Sequence, residues 1–232
     1  MEDYRINSKN TLGQRMIMIE QDAGYIDPLN KRNKPFITET QKLNEGKAII
    51  SEPLILYVVL QKHSVENRNG RIYPESILKR EATNYQELIN ERRALGESDH
   101  PESSIISVDR VSHNITEIWW EGKTLMGKIE FAMSPGFVNQ GIISCEGDKV
   151  ANLLRLGYMV GVSSRGVGSL EEINGKNIVQ EDFEMICWDI VTSPSTPGSW
   201  MFKNHDEAKP FTESDKKDKP LLHKKLDNFL IN

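Results

Sequence analysis

The segment Gly161–Leu170 combines residue types that nucleophilic catalysis uses. Its sequence, GVSSRGVGSL, places two adjacent hydroxyls beside a guanidinium and follows them with glycines. A serine nucleophile needs a general base for its proton, donors for the oxyanion and a tightly held backbone. The segment could supply the last two, because glycines let backbone amides approach a ligand. The general base must come from another part of the chain. The same residues are also typical of a glycine-rich turn with solvated serines, which is the alternative interpretation.

The general base must be sought among five histidines. His205 and His223 fall in the polar C-terminal part, His113 lies near a predicted hairpin strand, and His63 follows the first predicted strand. His100 has a different context, because it lies in a predicted loop after a helix, in the sequence ESDHP. Loops carry catalytic groups more often than core elements do. His100 is therefore the candidate base, and a capping or surface histidine is the alternative interpretation.

Strand parity indicates a role for Asp189. In the predicted strand Phe183–Val191, alternate side chains share a face, so the Asp189 carboxylate lies among apolar side chains. A buried carboxylate needs a partner, and a histidine Nδ1–H would both satisfy it and fix the catalytic tautomer. A backbone amide or Arg165 would satisfy it equally well. Parity also sends Ser163 and Ser164 to opposite faces, so only one of them can reach a given histidine.

Helices and strands of mixed order must position these residues. The predicted strands are Leu54–Leu60, a hairpin over Ile115–Phe131, Tyr158–Ser163 and Phe183–Val191; the predicted helices are Glu75–Leu95, stopped by Gly96, and Asp148–Arg155. The order is not a βαβ alternation. We therefore predict an α+β fold with a mostly antiparallel, β-barrel-like core surrounded by helices.

The length of 232 residues suits one domain with tails. Residues 1–46 show no sustained period and predict a flexible arm, 47–202 hold the folded domain, and 203–232 form a polar linker with an amphipathic end. Apolar residues recur at helical spacing in that end, at Leu221, Leu222, Leu226, Phe229 and Leu230.

Composition excludes several functions. A net charge of −5 argues against a nucleic-acid footprint, which needs a clustered basic face. No apolar run approaches the roughly 18–20 residues that cross a bilayer. Cys145 and Cys187 show no CxxC spacing, which favours reduced thiols in a cytoplasmic setting. No zinc pattern is visible, so we expect neither a metal nor an organic cofactor.

Several motifs in order carry a resemblance to a known family. They are NRNGRIYP at 67–74, ALGESDHP at 94–101, the tryptophan pair 119–120, GVSSRGVGSL at 161–170, Asp189 and SPS at 193–195. Together they resemble the prohead, or procapsid maturation, serine proteases of tailed phages, in the T-even branch. The resemblance extends from about Leu54 to Trp200.

The resemblance implies a fold, an activity and roles for individual residues. It implies the herpesvirus-protease type of fold, with Ser163 as nucleophile, His100 as general base and Asp189 as the third member. Ser164, Arg165 and Gly166 are implied as oxyanion or substrate-binding components.

The resemblance also implies substrates and a location. Such an enzyme would cut scaffold or core proteins, the major capsid protein and itself inside the assembling prohead, in the host cytoplasm. T-even members prefer to cut after glutamate, with Leu or Ile two residues earlier. Ile37-Thr38-Glu39 and Leu43-Asn44-Glu45 fit that pattern, so Glu39 and Glu45 are candidate self-cleavage sites. Self-association of the chain is compatible with this role.

Two other classes of function stay open at this point. One is a non-enzymatic prohead core or assembly protein with the same fold, because fold alone does not prove activity. The other is a metal hydrolase using Glu97, Asp99 and His100, although that cluster lacks a second histidine at ligand spacing.

Overall fold

In the computed structural model, which describes residues 16–19, 53–203 and 205, strands outnumber helices. The strands are β1 (Met16–Ile19), β2 (Ile55–Lys62), β3 (Arg71–Ile72), β4 (Leu95–Glu97), β5 (Val111–Glu121), β6 (Thr124–Phe131), β7 (Gly161–Gly168), β8 (Leu170–Ile173), β9 (Lys176–Val179), β10 (Glu184–Val191) and β11 (Met201–Phe202). The helices are α1 (Glu75–Asn90), α2 (Pro135–Gln140) and α3 (Glu146–Arg155). The predicted α+β class is confirmed.

The described strands form three sheets. Their orders are β1-β7-β10, β11-β2-β6-β5-β4 and β3-β9-β8. Every pairing is antiparallel except the short parallel contact of β3 with β9. Two isolated bridges connect the first two sheets: Ser98 with Ile190 next to β4 and β10, and Gly161 with Trp200 at the start of β7. The first sheet is thereby held against both edges of the second.

The main hydrophobic core lies between the five-stranded sheet, α1, α3 and β10. Leu56, Val58 and Leu60 of β2 point into it, together with Trp188 of β10. Val59, on the other face of β2, packs in a second cluster. Burying a Leu or Val side chain contributes roughly 1.5–3 kcal/mol to stability. Because both faces of β2 are buried, apolar residues are favoured at every position, and its sequence is a continuous apolar run. The predicted first strand is confirmed on this basis.

Helix α1 ends earlier than we predict. It stops at Asn90, and Arg92 then adopts a left-handed φ of 56°. Leu95–Glu97 is a strand paired with β5, so Gly96 does not stop the helix but lies inside β4. A Cβ on Gly96 would approach the Trp188 carbonyl oxygen to 2.3 Å. The apolar spacing itself ends at Ile89, inside the helix, and the residues after it pair with β5.

The serine motif also differs from the prediction. The predicted strand ended at Ser163, whereas β7 begins at Gly161 and carries the whole motif through Gly168. Its glycines allow close approach rather than a turn. A Cβ on Gly161 would lie 2.3 Å from the Ser199 carbonyl oxygen, and one on Gly166 would lie 2.5 Å from the Phe183 ring. The serines are consequently buried in a strand and not solvated in a loop.

Helix α3 lies close to its predicted position, with one difference in its inner face. Val150 and Leu154 are buried as predicted, but Leu153 is exposed. Asp148 anchors the first turn by accepting from the backbone N–H groups of Ser134, Ser144 and Cys145.

The two terminal segments are described only in part. Within the predicted arm 1–46, Met16–Ile19 forms β1, which pairs with Gly168–Arg165 of β7. These four residues depart from the expectation of a loosely structured arm. The amphipathic run Leu221–Leu230 lies outside the described residues, as does His223. No helix within the described ranges is long and apolar enough to span a membrane.

Candidate active site

The ladder between β7 and β10 brings the first two candidate residues together. Ser163 lies directly opposite Asp189, and Arg165 lies opposite Cys187. Directly opposed residues of an antiparallel pair point to the same face, so these four side chains share one surface of the sheet. The strand pair alone therefore places a hydroxyl beside a carboxylate.

His100 reaches this surface from the loop that follows β4. Ser98 forms a parallel bridge with Ile190, and the Asp99 N–H donates to the Ile190 carbonyl at 2.8 Å. These contacts fix the loop along the end of β10. The His100 Nδ1 atom consequently lies 2.8 Å from Asp189 Oδ2, with both side chains fully buried.

Asp189 has all three kinds of partner that the sequence left open. Besides the His100 ring, its Oδ1 accepts the Glu97 backbone N–H at 3.0 Å, and Arg165 Nε lies 2.9 Å from its Oδ2. Burial raises the pKa of this carboxyl, but the His100 hydrogen bond, the Arg165 charge and the Glu97 amide outweigh burial and hold the pKa below its ordinary value. Asp189 is thus a stable anion aimed at an imidazole.

The two candidate reacting atoms, Ser163 Oγ and His100 Nε2, are buried. Within residues 53–203, neither Ser163 Oγ nor His100 Nε2 has a hydrogen-bond partner, and neither is exposed. An ionised carboxylate only accepts, so Nδ1 of His100 carries the proton and Nε2 keeps its lone pair. The hydroxyl and this lone pair are not hydrogen-bonded to each other here. Catalytic contacts commonly tighten only when substrate binds.

Arg165 occupies the centre of the buried polar cluster. Its Nη2 donates to Glu97 Oε2 at 2.5 Å and to Asp189 Oδ1 at 3.2 Å, and its Nη1 donates to the Ser103 carbonyl at 2.9 Å. The side chain has no exposed surface. The guanidinium that we expected at an oxyanion or substrate site is therefore directed at two carboxylates.

The other candidates of the serine motif lie around this cluster. Ser164 alternates to the opposite face, where its cross-strand neighbour is the core residue Trp188. Gly166 is flanked by β1 on one edge and β10 on the other. Glu39 and Glu45 lie outside the described residues.

Two residues of the cluster were missed as site components. Glu97 was considered as a metal ligand and as part of the ALGESDHP motif, and Cys187 for its spacing and as an apolar neighbour of Asp189; both are buried beside Arg165. The Cys187 thiol donates to Asp189 Oδ1 at 3.2 Å, and burial raises its pKa well above the ordinary value, so it is neutral. Glu97 precedes His100 by three residues, and this spacing was the only local signal for it.

Two other described histidines, His113 and His63, have structural surroundings. His113 is buried, donates from Nε2 to the Trp188 carbonyl at 3.0 Å and accepts from Ser112 at 2.9 Å. Burial lowers the pKa of His113 to about 4, although Asp189 and the Trp188 carbonyl oppose this. His63 packs edge-on against Trp120.

Metal-hydrolase chemistry gains no support from this geometry. Glu97 and His100 direct their side chains at Arg165 and Asp189 rather than at each other. In the described part of the chain, no group of three His, Cys, Asp or Glu side chains is placed to hold a metal ion.

A serine that shares a buried sheet face with a histidine–aspartate pair is the set of residue types that serine hydrolases use. Comparison with known proteins narrows the class. The profile of the family described as "Prohead core protein serine protease" matches residues 17–216. The prohead core protein protease of Enterobacteria phage T4 is 34% identical over 165 residues, which cover 68% of this chain and 73% of that protein. The solved structure of the bacteriophage T4 capsid assembly protease, gp21, is also similar: it shares 26% identity at a TM-score of 0.59, over 78% of this chain and 100% of that chain.

The chain belongs to the prohead core protein serine protease family. It is accordingly a protease of prohead maturation, and the class inferred from the sequence motifs is confirmed.

Proposed function

We propose that Ser163, His100 and Asp189 form the catalytic set of this protease. The observation that carries the proposal is the 2.8 Å contact of His100 Nδ1 with Asp189 Oδ2, on the sheet face that Ser163 shares. Ser163 Oγ attacks the scissile carbonyl while its proton passes to His100 Nε2. The imidazolium so formed is stabilised by Asp189 and returns the proton to the leaving amine.

The oxyanion assignment moves from side chain to backbone. The Arg165 guanidinium is held by Glu97 and Asp189. Arg165 and Gly166 also pair with a strand on each edge of β7, so the oxyanion donor of the 164–166 segment is proposed to be the Ser164 main-chain N–H. Arg165 itself is proposed to hold the carboxylates in place.

The substrates are proposed to be the scaffold or core proteins and the major capsid protein, inside the assembling prohead in the host cytoplasm. The proposed specificity is glutamate at the cleaved bond, with Leu or Ile two residues earlier. Glu39 and Glu45 are the proposed self-cleavage sites, since both precede β2, the first strand of the large sheet. Cleavage there would release residues 1–39 or 1–45 of the 1–46 arm from the 47–202 protease domain, while 203–232 would serve as the linker and terminal segment.

A barrel-like core is also proposed. Two bridges between the first two sheets support it. Ser98–Ile190 connects β10 to the β4 end of the order β4-β5-β6-β2-β11, and Gly161–Trp200 connects the β11 end back to β7. Such a closed circuit would leave few exposed strand edges.

Intact-mass spectrometry over time tests the catalytic set. Wild type is compared with Ser163→Ala and with the matched variant Ser164→Ala, which removes the neighbouring hydroxyl on the other face. Wild type and Ser164→Ala are expected to lose mass corresponding to cuts after Glu39 or Glu45, and Ser163→Ala to stay full length. If Ser163→Ala is cut at the wild-type rate, another residue is the nucleophile. If no chain is cut in isolation, cleavage of a purified scaffold protein by the same three chains decides the matter.

A further inference from the structure

Glu97 connects the three segments that surround His100. Its backbone N–H donates to Asp189 Oδ1 at 3.0 Å, its Oε2 accepts from Arg165 Nη2, and its Oε1 accepts the Ser107 backbone N–H at 2.6 Å. These contacts connect β4 to β10 through Asp189, to β7 through Arg165, and to the far end of the loop that follows β4 through Ser107. A fully buried carboxylate with these three contacts is fixed in one position.

The charges of this buried cluster balance only in one protonation state. Two carboxylates, Glu97 and Asp189, face one guanidinium, Arg165, so the cluster has a net charge of −1 while His100 is neutral. When His100 takes the proton of Ser163, the cluster becomes neutral. In a buried environment a net charge is costly, so the second carboxylate favours the imidazolium that forms during catalysis.

We propose that Glu97 is a positioning residue for catalysis, which holds Arg165 and Asp189 in register with His100 and supplies the negative charge that balances the imidazolium. The proposal rests on the catalytic set proposed above. Glu97, which is not one of the three proposed catalytic residues, would thereby favour the transfer of the Ser163 proton to His100.

Other titratable groups near the cluster do not disturb this balance near neutral pH. They are Cys187 on β10, His113 on β5, Tyr85 on α1, and Asp99 and Glu102 in the loop. Burial holds Cys187 and Tyr85 in their neutral, protonated forms, because it raises the pKa of each well above its ordinary value. Burial also lowers the pKa of His113 to about 4, so this ring is uncharged as well. Asp99 and Glu102 are exposed to solvent, which screens their charges.

The first test follows the His100 ring by NMR as the pH is changed, in folded full-length chains. Glu97→Gln keeps the shape and removes the charge, and it is expected to move the His100 titration to lower pH by about half to one unit. Glu97→Asp restores the charge and is expected to return the titration toward wild type. Glu102→Gln, which removes an exposed carboxylate two residues from His100, is the matched control and is expected to move it little.

The second test measures the rate at which a fluorophosphonate labels Ser163, against pH, in the same chains. Glu97→Gln is expected to lower the plateau rate roughly tenfold and to move the acidic limb of the profile to lower pH. Ser107→Pro removes the N–H that Oε1 accepts, together with the Ser107 hydroxyl, at a φ of −84° that is close to the range of proline. It is expected to slow labelling while leaving the His100 titration in place.

The two tests separate failure of this inference from failure of the catalytic set. If wild type is not labelled at Ser163, the catalytic set is wrong, and the His100 titration still decides the effect of Glu97. An unchanged titration and labelling profile in Glu97→Gln overturns the proposal. If Glu97→Gln does not fold, a Glu97→Asp titration displaced well beyond that of Glu102→Gln despite the retained charge, together with unchanged labelling of Ser107→Pro, overturns it instead.

Discussion

Asp189 and Ser163 face each other across one rung of the β7–β10 ladder. Neither residue depends on a loop for its place, since strand pairing fixes both. Only His100 comes from a loop, and that loop is fastened to β10 by Ser98 and Asp99. A site built on paired strands holds its geometry more tightly than one built on loops alone.

Replacing Asp189 by Asn is expected to lower kcat/KM by about 10³–10⁴-fold. The amide would present a donor to His100 Nδ1, which would favour the wrong tautomer of the ring. Steady-state cleavage of a scaffold protein measures the effect. Asp109→Asn, at an exposed carboxylate in the 3₁₀ turn before β5, is the control and should keep wild-type activity. Comparable kinetics for the two variants would remove Asp189 from the catalytic set.

Replacing Arg165 by Met is expected to lower the free energy of unfolding by about 3–5 kcal/mol. It would leave Glu97 and Asp189, both fully buried, without their shared cation. Arg165→Lys keeps the charge but loses the planar guanidinium that donates to both carboxylates, so an intermediate loss of unfolding free energy is expected. Urea unfolding checks both variants. Arg155→Met, where the exposed side chain donates to Asn152, should change stability by no more than about 0.5 kcal/mol. Equal losses at both arginines would contradict this account.

Replacing Gly96 by Ala is expected to cost about 3 kcal/mol or more. The new Cβ would lie 2.3 Å from the Trp188 carbonyl oxygen and 2.4 Å from the His113 ring, neither of which can move freely in the core. Gly136→Ala in α2 is the matched control, because the nearest atom would be at an ordinary 3.8 Å. Thermal unfolding of the two variants decides the matter, and a Gly96→Ala chain as stable as Gly136→Ala would show that β4 can move away.

His113 is expected to make the fold less stable as the pH falls below neutral. Its pKa is about 4 in the folded chain against an ordinary 6.5, so between these values the unfolded chain binds more protons and stability decreases with falling pH. From pH 7.5 to pH 5 the expected loss is about 2 kcal/mol. His63, whose pKa burial also lowers, adds a loss of the same sign. Asp189 contributes only at more acidic pH, because its own pKa is lowered.

Urea unfolding at several pH values measures this dependence. In His113→Gln, which can still donate to the Trp188 carbonyl, the slope between pH 7.5 and pH 5 should become shallower but not vanish. A slope equal to that of wild type would mean that another group carries the linkage.

Local patterns in the sequence were enough to predict the strand-based part of the site. Alternation along the 183–191 run placed Asp189 in the interior and required a partner for it, and alternation also separated Ser163 from Ser164. These are short-range properties of the backbone. The partners proposed for Asp189 were treated as alternatives, yet the structure combines them, because a carboxylate has several acceptor positions.

The rest depended on contacts between residues far apart in the chain. Glu97 and Arg165 are 68 positions apart, and no local pattern could pair them. The end of α1 was misplaced for the same reason, since Leu95 was assigned to the helix ahead of Gly96 but pairs with Asn114 of β5. The end of β7 was misplaced because glycines in a motif suggest turns, whereas here they make room for Phe183 and Ser199.

Strand β1 lies on the opposite edge of β7 from β10, and it precedes both candidate processing sites in the chain. While the chain is intact, β1 is tethered to its partner, and tethered segments act at effective concentrations on the order of millimolar. A cut after Glu39 or Glu45 would leave the same strand as a separate peptide, whose occupancy would then depend on dilution. The edge of β7 from Arg165 to Gly168 would become open to any extended peptide that can add a strand, in competition with the segment just released.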